Sequence, residues 1–183
     1  MKFFVFLFIL MQYSFLYSQH SERFMTLVKD LKPSDTSKVE NYYSNGAVKR
    51  QGTLYYYDMP EYTYSKRVGS WIEYYKDGVV KMESQYDNYG NLLSKSLYDK
   101  QGSISTEMVA TLIDSKLSDS GDYFLKNDEV SIIFRIKNYK FGMEIGKMYL
   151  REAGLVNGGK RIGVWKIYKQ SGSLEREIDY DNK

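Results

Sequence analysis

The chain has 183 residues, with 26 lysines and arginines against 23 aspartates and glutamates, no cysteine, 2 prolines and 19 tyrosines. Basic and acidic side chains are interspersed, which removes the footprint of a nucleic-acid binder, and the lack of cysteine removes disulfides and thiolate metal ligands. Tyrosine favours strands and half-buried surfaces, so the composition points to β structure held by packing and strand pairing alone.

At the start, Lys2 precedes the apolar run Phe3 to Met11, followed by a more polar stretch to Gln19. That is the layout of a secretory leader. The run covers roughly half of the ~20 residues a membrane-spanning helix needs. A signal peptide over residues 1–19 is therefore expected, cut after Ser18 or Gln19, although Leu16 and Tyr17 depart from the small-x-small preference. The protein would then be secreted, to the periplasm or beyond, with no transmembrane segment left. Residues 20–183 are expected to form a single β-repeat domain. His20, the only histidine, falls beside the cut and is expected to be mobile or absent. A Ser-His-Asp triad, a Cys-His pair and a histidine zinc site then have no parts.

Next, Phe24, Leu27, Val28 and Leu31 recur at helical spacing, with Ser21 placed as an N-cap and Pro33 beyond the end. This predicts a short amphipathic helix, expected to cap the open end of a sheet.

From there the chain repeats itself. Tyr42, Tyr74, Tyr86, Tyr98 and Tyr168 each stand four residues before a glycine: Gly46, Gly78, Gly90, Gly102 and Gly172. The second residue after each glycine is aliphatic: Val48, Val80, Leu92, Ile104 and Leu174. Gly78, Gly90 and Gly102 follow at equal intervals, the turn-to-turn spacing of short antiparallel strands. Asn45-Gly46 and Asp77-Gly78 are the firmest hairpin signals, since such pairs can adopt the positive φ angles of a tight hairpin turn. A longer match joins Lys66-Arg67-Val68-Gly69-Ser70-Trp71 and its continuation to Tyr74 with Lys160-Arg161-Ile162-Gly163-Val164-Trp165 and its continuation to Tyr168. Both tryptophans hold the same place in the unit.

These residues resemble the variant MORN repeat of secreted and surface bacterial proteins, whose unit reads roughly Gly-x-Trp-x-x-Tyr-x-x-x-Gly-x-Leu. The units containing Trp71, Tyr74 and Gly78 and containing Trp165, Tyr168 and Gly172 match throughout, with Val80 in place of leucine in the first. The Tyr86-Asp87 and Tyr98-Asp99 units lack the Gly-x-Trp half and also resemble, more weakly, the YD repeats of large surface toxins. The resemblance covers about residues 39–104 and 160–180. It implies a mainly β fold, with antiparallel β-hairpin repeats stacked into an elongated twisted sheet, and it implies no particular activity. Trp71 and Tyr74 should face opposite sides of an unbroken strand, unless a bulge turns one of them round.

Repeat units are expected over about 37–107 and 158–183, with a divergent insert over about 108–157. Pro60 marks a loop within residues 59–66. Inside the insert, Val130 to Ile136 reads as a strand, Tyr139 to Leu150 as worn repeat units, and Asp114 to Asp128 as a loop or lid.

For function, the expectation is a non-catalytic scaffold engaging another protein at the cell envelope. An alternative rests on Tyr55, Tyr57, Tyr62 and Tyr64, which as an exposed row would stack on sugars. Their other reading is packing between repeats. A carboxylate hydrolase would need a converging pair from acids such as Glu73, Glu83, Glu107 and Glu144, which read more simply as solvated strand positions. Asp119, Asp122 and Asp128 lack the wording of a calcium loop. A basic stripe from Lys66, Arg67, Lys160 and Arg161, if the two matching units present it on one side, would attract acidic partners or anionic lipid, but nearby Asp and Glu favour ordinary solvation of these charges. No cofactor, metal or nucleic acid is expected.

Overall fold

A computed structural model describes residues 19–182; the expected leader, apart from Gln19, lies outside the described residues. Runs rich in tyrosine and β-branched residues, punctuated by glycine, form ten strands. After helix α1 (Glu22–Val28) they are β1 (Asp35–Tyr42), β2 (Val48–Asp58), β3 (Thr63–Tyr74), β4 (Val80–Tyr86) and β5 (Leu92–Tyr98). Then come β6 (Ile104–Ser115), β7 (Val130–Gly142), β8 (Lys147–Asn157), β9 (Lys160–Tyr168) and β10 (Leu174–Asp179). All pair antiparallel with their sequence neighbours in one open sheet, in the order β1 to β10. The mainly β, hairpin-built architecture expected from the repeats is present.

The hairpin turns expected at Asn45-Gly46 and Asp77-Gly78 are present, and the repeated turns share one geometry. In each, the glycine amide donates to the carbonyl three residues earlier, as Gly46 does to Tyr43 and Gly78 to Tyr75, both at 3.0 Å. The flanking pair closes with Tyr43 N to Ala47 O at 2.8 Å, which leaves a three-residue loop ending in a left-handed glycine. Gly46 has φ 82° and Gly78 has φ 88°, and no non-glycine residue has positive φ among those described. Asn45 and Asp77 therefore do not need the left-handed conformation, which explains why tyrosine, glutamine or serine can stand there in the other units.

A second regularity lies just past each turn. Tyr42 pairs with Val48 while Asn41 pairs with Arg50, so Lys49 is an extra, bulged residue. The same step recurs at Lys81, Leu93, Ser105 and Glu175. The motif tyrosine and its aliphatic residue are thus direct cross-strand partners, Tyr74 with Val80 and Tyr98 with Ile104 among them.

Residues 108–157 continue the same sheet as the outer part of β6 with β7 and β8, and Tyr139 pairs with Leu150 as the motif pairs do. Only the β6–β7 connection leaves the sheet. It turns back over it and buries Tyr123 and Phe124.

The core forms at one end of the sheet. Phe24, Leu27 and Val28 of α1 meet Tyr57, Leu93, Ala110, Ile113, Tyr123 and Phe124. Ser21 caps α1 as expected, accepting from Phe24 N at 3.0 Å. The helix caps the sheet at β6, away from the terminal strands β1 and β10. The reason is a vacant half-edge. Beyond Val109 the strand has no partner in β5, and Ile113 pairs instead with the segment at His20, donating to Gln19 O and accepting from Ser21 N.

His20 is accordingly held against the fold. Its Nε2 lies 2.9 Å from Asp87 Oδ2, and its ring stacks on Phe24. Among the described residues, no helix is long and apolar enough to cross a membrane.

Candidate functional site

Both complete repeat units build the same tryptophan seat. Gly52 on β2 faces Gly69, Ser70 and Trp71 on β3, because Gln51 pairs with Ile72 and Thr53 with Val68. Gly154 on β8 faces Gly163, Val164 and Trp165 in the same way. Each indole lies on the opposing glycine. A Cβ at Gly52 would stand 2.2 Å from the Trp71 ring, and one at Gly154 would stand 2.4 Å from the Trp165 ring. Each Nε1 donates to the next carbonyl, Thr53 O at 3.0 Å and Leu155 O at 2.9 Å. Arg67 and Arg161 cover the outer ring faces at 4.6 and 3.9 Å. Sequence reading found the tryptophans but not the two glycines, which sit in the preceding strand outside the motif.

The arginines of the two matching units are paired with acids, as the solvation reading expects, rather than gathered into a basic stripe. Arg67 pairs with Glu73 and Arg161 with Glu152, while Lys66 is half-buried over Phe124, and burial lowers its pKa.

Of the two readings of Tyr55, Tyr57, Tyr62 and Tyr64, the exposed row does not form, and packing takes three of the four rings. Past the Gly52 bulge the β2–β3 hairpin runs beyond the end of β4, and its tip packs on the β4–β5 turn and the β6–β7 connection. Tyr57 is 1% exposed and donates its hydroxyl to Asn88 O. Tyr55 and Tyr64 pack against the core, Tyr64 stacking on Phe124, and of the four only Tyr62 stands free, at 61% exposed. Met59 at the hairpin tip packs against the same cluster.

A different row exists. One rung of paired residues crosses all ten strands, from Glu40 through Gln51, Ile72, Glu83, Ser96 and Glu107 to Lys137, Ala153, Lys166 and Glu177. Directly paired residues share a face, here termed the front. Two residues along every odd-numbered strand, on that same face, stands a tyrosine: Tyr42, Tyr74, Tyr98, Tyr139 and Tyr168. Trp71 lies on the opposite, back face, since it covers Gly52 whereas Tyr74 bonds to the neighbouring Gln51. Both faces carry aromatic rings, which settles the alternative that the sequence left open. Tyr86, a motif residue, also faces back, because its turn lies at the other end of the sheet and the alternation reverses.

The tyrosine hydroxyls reach rung residues in a repeated way. Tyr74 accepts from Gln51 Nε2 at 2.9 Å, Tyr98 donates to Glu83 at 2.8 Å and Tyr139 donates to Glu107, each partner being on the preceding strand. Tyr42 donates to Glu40 of its own strand. A ring whose hydroxyl reaches the neighbouring strand lies along the sheet rather than standing up from it. The bonds to Glu40 and Glu83, with lesser burial, raise the pKa of Tyr42 and Tyr98, while burial and then the bond to Glu107 push Tyr139 up to about 12. These hydroxyls remain protonated donors at neutral pH.

None of the five tyrosines belongs to the core cluster, and Tyr42 is 55% exposed. On β6, Val109 faces front and is exposed, whereas Ala110 faces back into the core. The helix and the β6–β7 connection therefore leave this face open.

The candidate acids are dispersed. Glu83 and Glu107 share the rung two strands apart on the open face, Glu73 is on the back face beside Arg67, and Glu144 sits in the β7–β8 turn. Asp119 caps the Gly121 amide and Asp122 pairs with Lys126. Among the described residues, no three His, Cys, Asp or Glu side chains group as metal ligands.

Two segments, residues 67–88 and 161–182, match the family model described as a MORN repeat variant, so the chain carries two such repeats. Both matches begin at the arginine that covers the tryptophan. No curated protein matches the chain. Among solved structures, a DUF3836 family protein from Parabacteroides distasonis is 8% identical, with 67% of this chain and 90% of that chain covered at a TM-score of 0.20. A protein of unknown function from Bacteroides fragilis is 9% identical, with 79% and 91% covered at a TM-score of 0.19. Likeness at that level says nothing about the fold or activity of this chain.

Proposed function

We propose that this chain, a carrier of MORN-variant repeats, is a non-catalytic binding scaffold at the cell envelope that presents the front of its sheet to an extended partner. The observation that carries this reading is the tyrosine row, renewed on every second strand across a face that no other element covers among the described residues. Catalysis concentrates its groups in a concave, water-excluding site, whereas here carboxylates and rings are spread along a surface. The leader layout of residues 1–19 supports export. The partner is expected to be a protein of the envelope, held by contacts repeated along the row.

Co-sedimentation of the purified full chain with isolated bacterial envelopes tests this. Ser96→Arg places a long side chain on the front between Glu83 and Glu107, whose charges accommodate it. This variant is expected to lose co-sedimentation while keeping the wild-type unfolding midpoint. Lys95→Glu, one residue along and on the back face, should sediment like wild type. Equal sedimentation of the two variants would remove the front face from the function.

A further inference from the structure

The segment that fills the vacant half-edge of β6 begins at the residue where the leader is expected to end. Its short parallel ladder uses Gln19 and Ser21. Ile113 N donates to Gln19 O at 2.6 Å, and Ser21 N donates to Ile113 O at 2.9 Å. Gln19 therefore belongs to the fold and not to the expected leader. A cut after Gln19 would remove the acceptor of Ile113 N, one of the two bonds of the ladder. It would also place a charged ammonium on His20, which Asp87 and Phe24 hold. A cut after Ser18 keeps both bonds, and Ser18 is the smaller of the two residues, as the position just before a leader cut prefers.

A chain that starts at Gln19 carries its α-amine within reach of its own side-chain amide. The amine lone pair attacks Cδ, the N–Cδ bond forms, the Cδ–Nε2 bond breaks, and Nε2 leaves as ammonia with a proton from the amine. No other reactant is consumed.

The docked segment suits that product. Its ladder takes the carbonyl of Gln19 and not the nitrogen, so ring closure leaves both bonds in place. Gln19 Oε1 is buried without a hydrogen-bond partner, so the oxygen has no bond to lose when the ring draws it back to the residue's own nitrogen. An α-amine titrates near about 8 and is mostly charged at neutral pH, whereas a lactam is neutral. Gln19 is half-buried, and burial disfavours the charged form.

We propose that the leader is cut between Ser18 and Gln19 and that Gln19 is cyclised to pyroglutamate, so that the exported chain begins with a neutral, blocked residue docked on β6. Aminopeptidases need a free α-amine, so the block protects the segment that ties His20 and α1 to the sheet. The inference rests on removal of the leader and is independent of which face of the sheet binds a partner.

The test is to produce the full chain with a C-terminal affinity tag in the organism that encodes it and to read the exported protein by intact mass and Edman sequencing. The expected mass is that of the tagged chain from Gln19 onwards less one ammonia. Edman sequencing should be silent until the denatured protein is treated with pyroglutamyl aminopeptidase, and should then open at His20. Gln19→Ala, which keeps the carbonyl but cannot cyclise, should be cut at the same bond and sequence directly from position 19. If that variant does not accumulate, the wild-type mass decides alone. An exported wild-type chain that starts at His20, or at Gln19 with a free amine, would overturn the proposal and leave the scaffold reading standing. A retained leader would overturn it together with the expectation of cleavage and export.

Discussion

Glycines in this chain do two different jobs, and substitution separates them. At Gly52 the requirement is space, because the Trp71 indole occupies the position a side chain would take. Gly52→Ala is expected to cost on the order of 3 kcal/mol, at the upper end of overpacking costs. At Gly78 nothing lies within 4 Å of an added Cβ, but φ is +88°, so Gly78→Ala should cost only about 1–2 kcal/mol from backbone strain. Urea unfolding of both variants checks the ranking, and equal losses would contradict the seat described for Trp71. Asp114 carries a pH dependence. Hydrogen bonds from Arg23 and then Ser21 lower its pKa, whereas an unfolded aspartate titrates near about 3.9. A depressed folded value contributes stability above the unfolded pKa that is lost as pH falls through the folded one. Asp114→Asn should therefore be less stable than wild type at neutral pH, with the gap closing below about pH 4. A gap that is constant with pH would show that the carboxylate's charge does not hold α1.

The hairpin turn is the element whose conformation the sequence suggested incompletely. Asn45-Gly46 read as a tight hairpin turn of unspecified length, and the structure makes it a three-residue loop in which only the glycine is left-handed. The distinction is measurable. Asn45→Ala loses one long hydrogen bond to Ala47 N at 3.3 Å and should cost about 0.5 kcal/mol. A left-handed residue at position 45 would instead make alanine cost about 1–2 kcal/mol. The helix was legible from its spacing and its serine cap, because those are local. Its docking site was not, since the vacant half-edge of β6 exists only once β5 has been seen to be shorter than β6. The same holds for His20. Judged from its position beside the expected leader it has no role, yet it is held by Asp87, whose carboxylate also bonds the Tyr89 and Asn91 amides and the Asn91 side chain.

Across the whole molecule, tyrosine is used in two populations, and alkaline titration should resolve them. Burial raises the pKa of Tyr57 and Tyr123 far above the ordinary value of about 10. Keeping them neutral stabilises the fold below that value, and the stability is lost as pH rises past it, because the unfolded chain ionises first. Ultraviolet titration of phenolate should show a first, reversible step from exposed rings near about pH 10. The buried pair should follow only in a later step that coincides with loss of the far-ultraviolet dichroism. A single smooth titration with dichroism unchanged would contradict the packing described for the core.

The sequence by itself determined the period of the fold. A tyrosine four residues before a glycine and an aliphatic residue two after it are cross-strand partners around a turn, and such pairs form within a dozen residues. Strand direction, turn positions and the capped helix follow from those local rules. Only the tertiary structure decided which tyrosines share a face, since that depends on counting alternation through every bulge from β1 to β10. Five bulged residues just past the turns and the Gly52 and Gly154 steps each change that count. Such shifts carried Tyr139, which lacks the motif, onto the front row, while the turn at the other end of the sheet placed Tyr86, which has the motif, on the back. They also left Tyr57 and Tyr64 in the core, because the surface those rings cover is supplied by residues far along the chain.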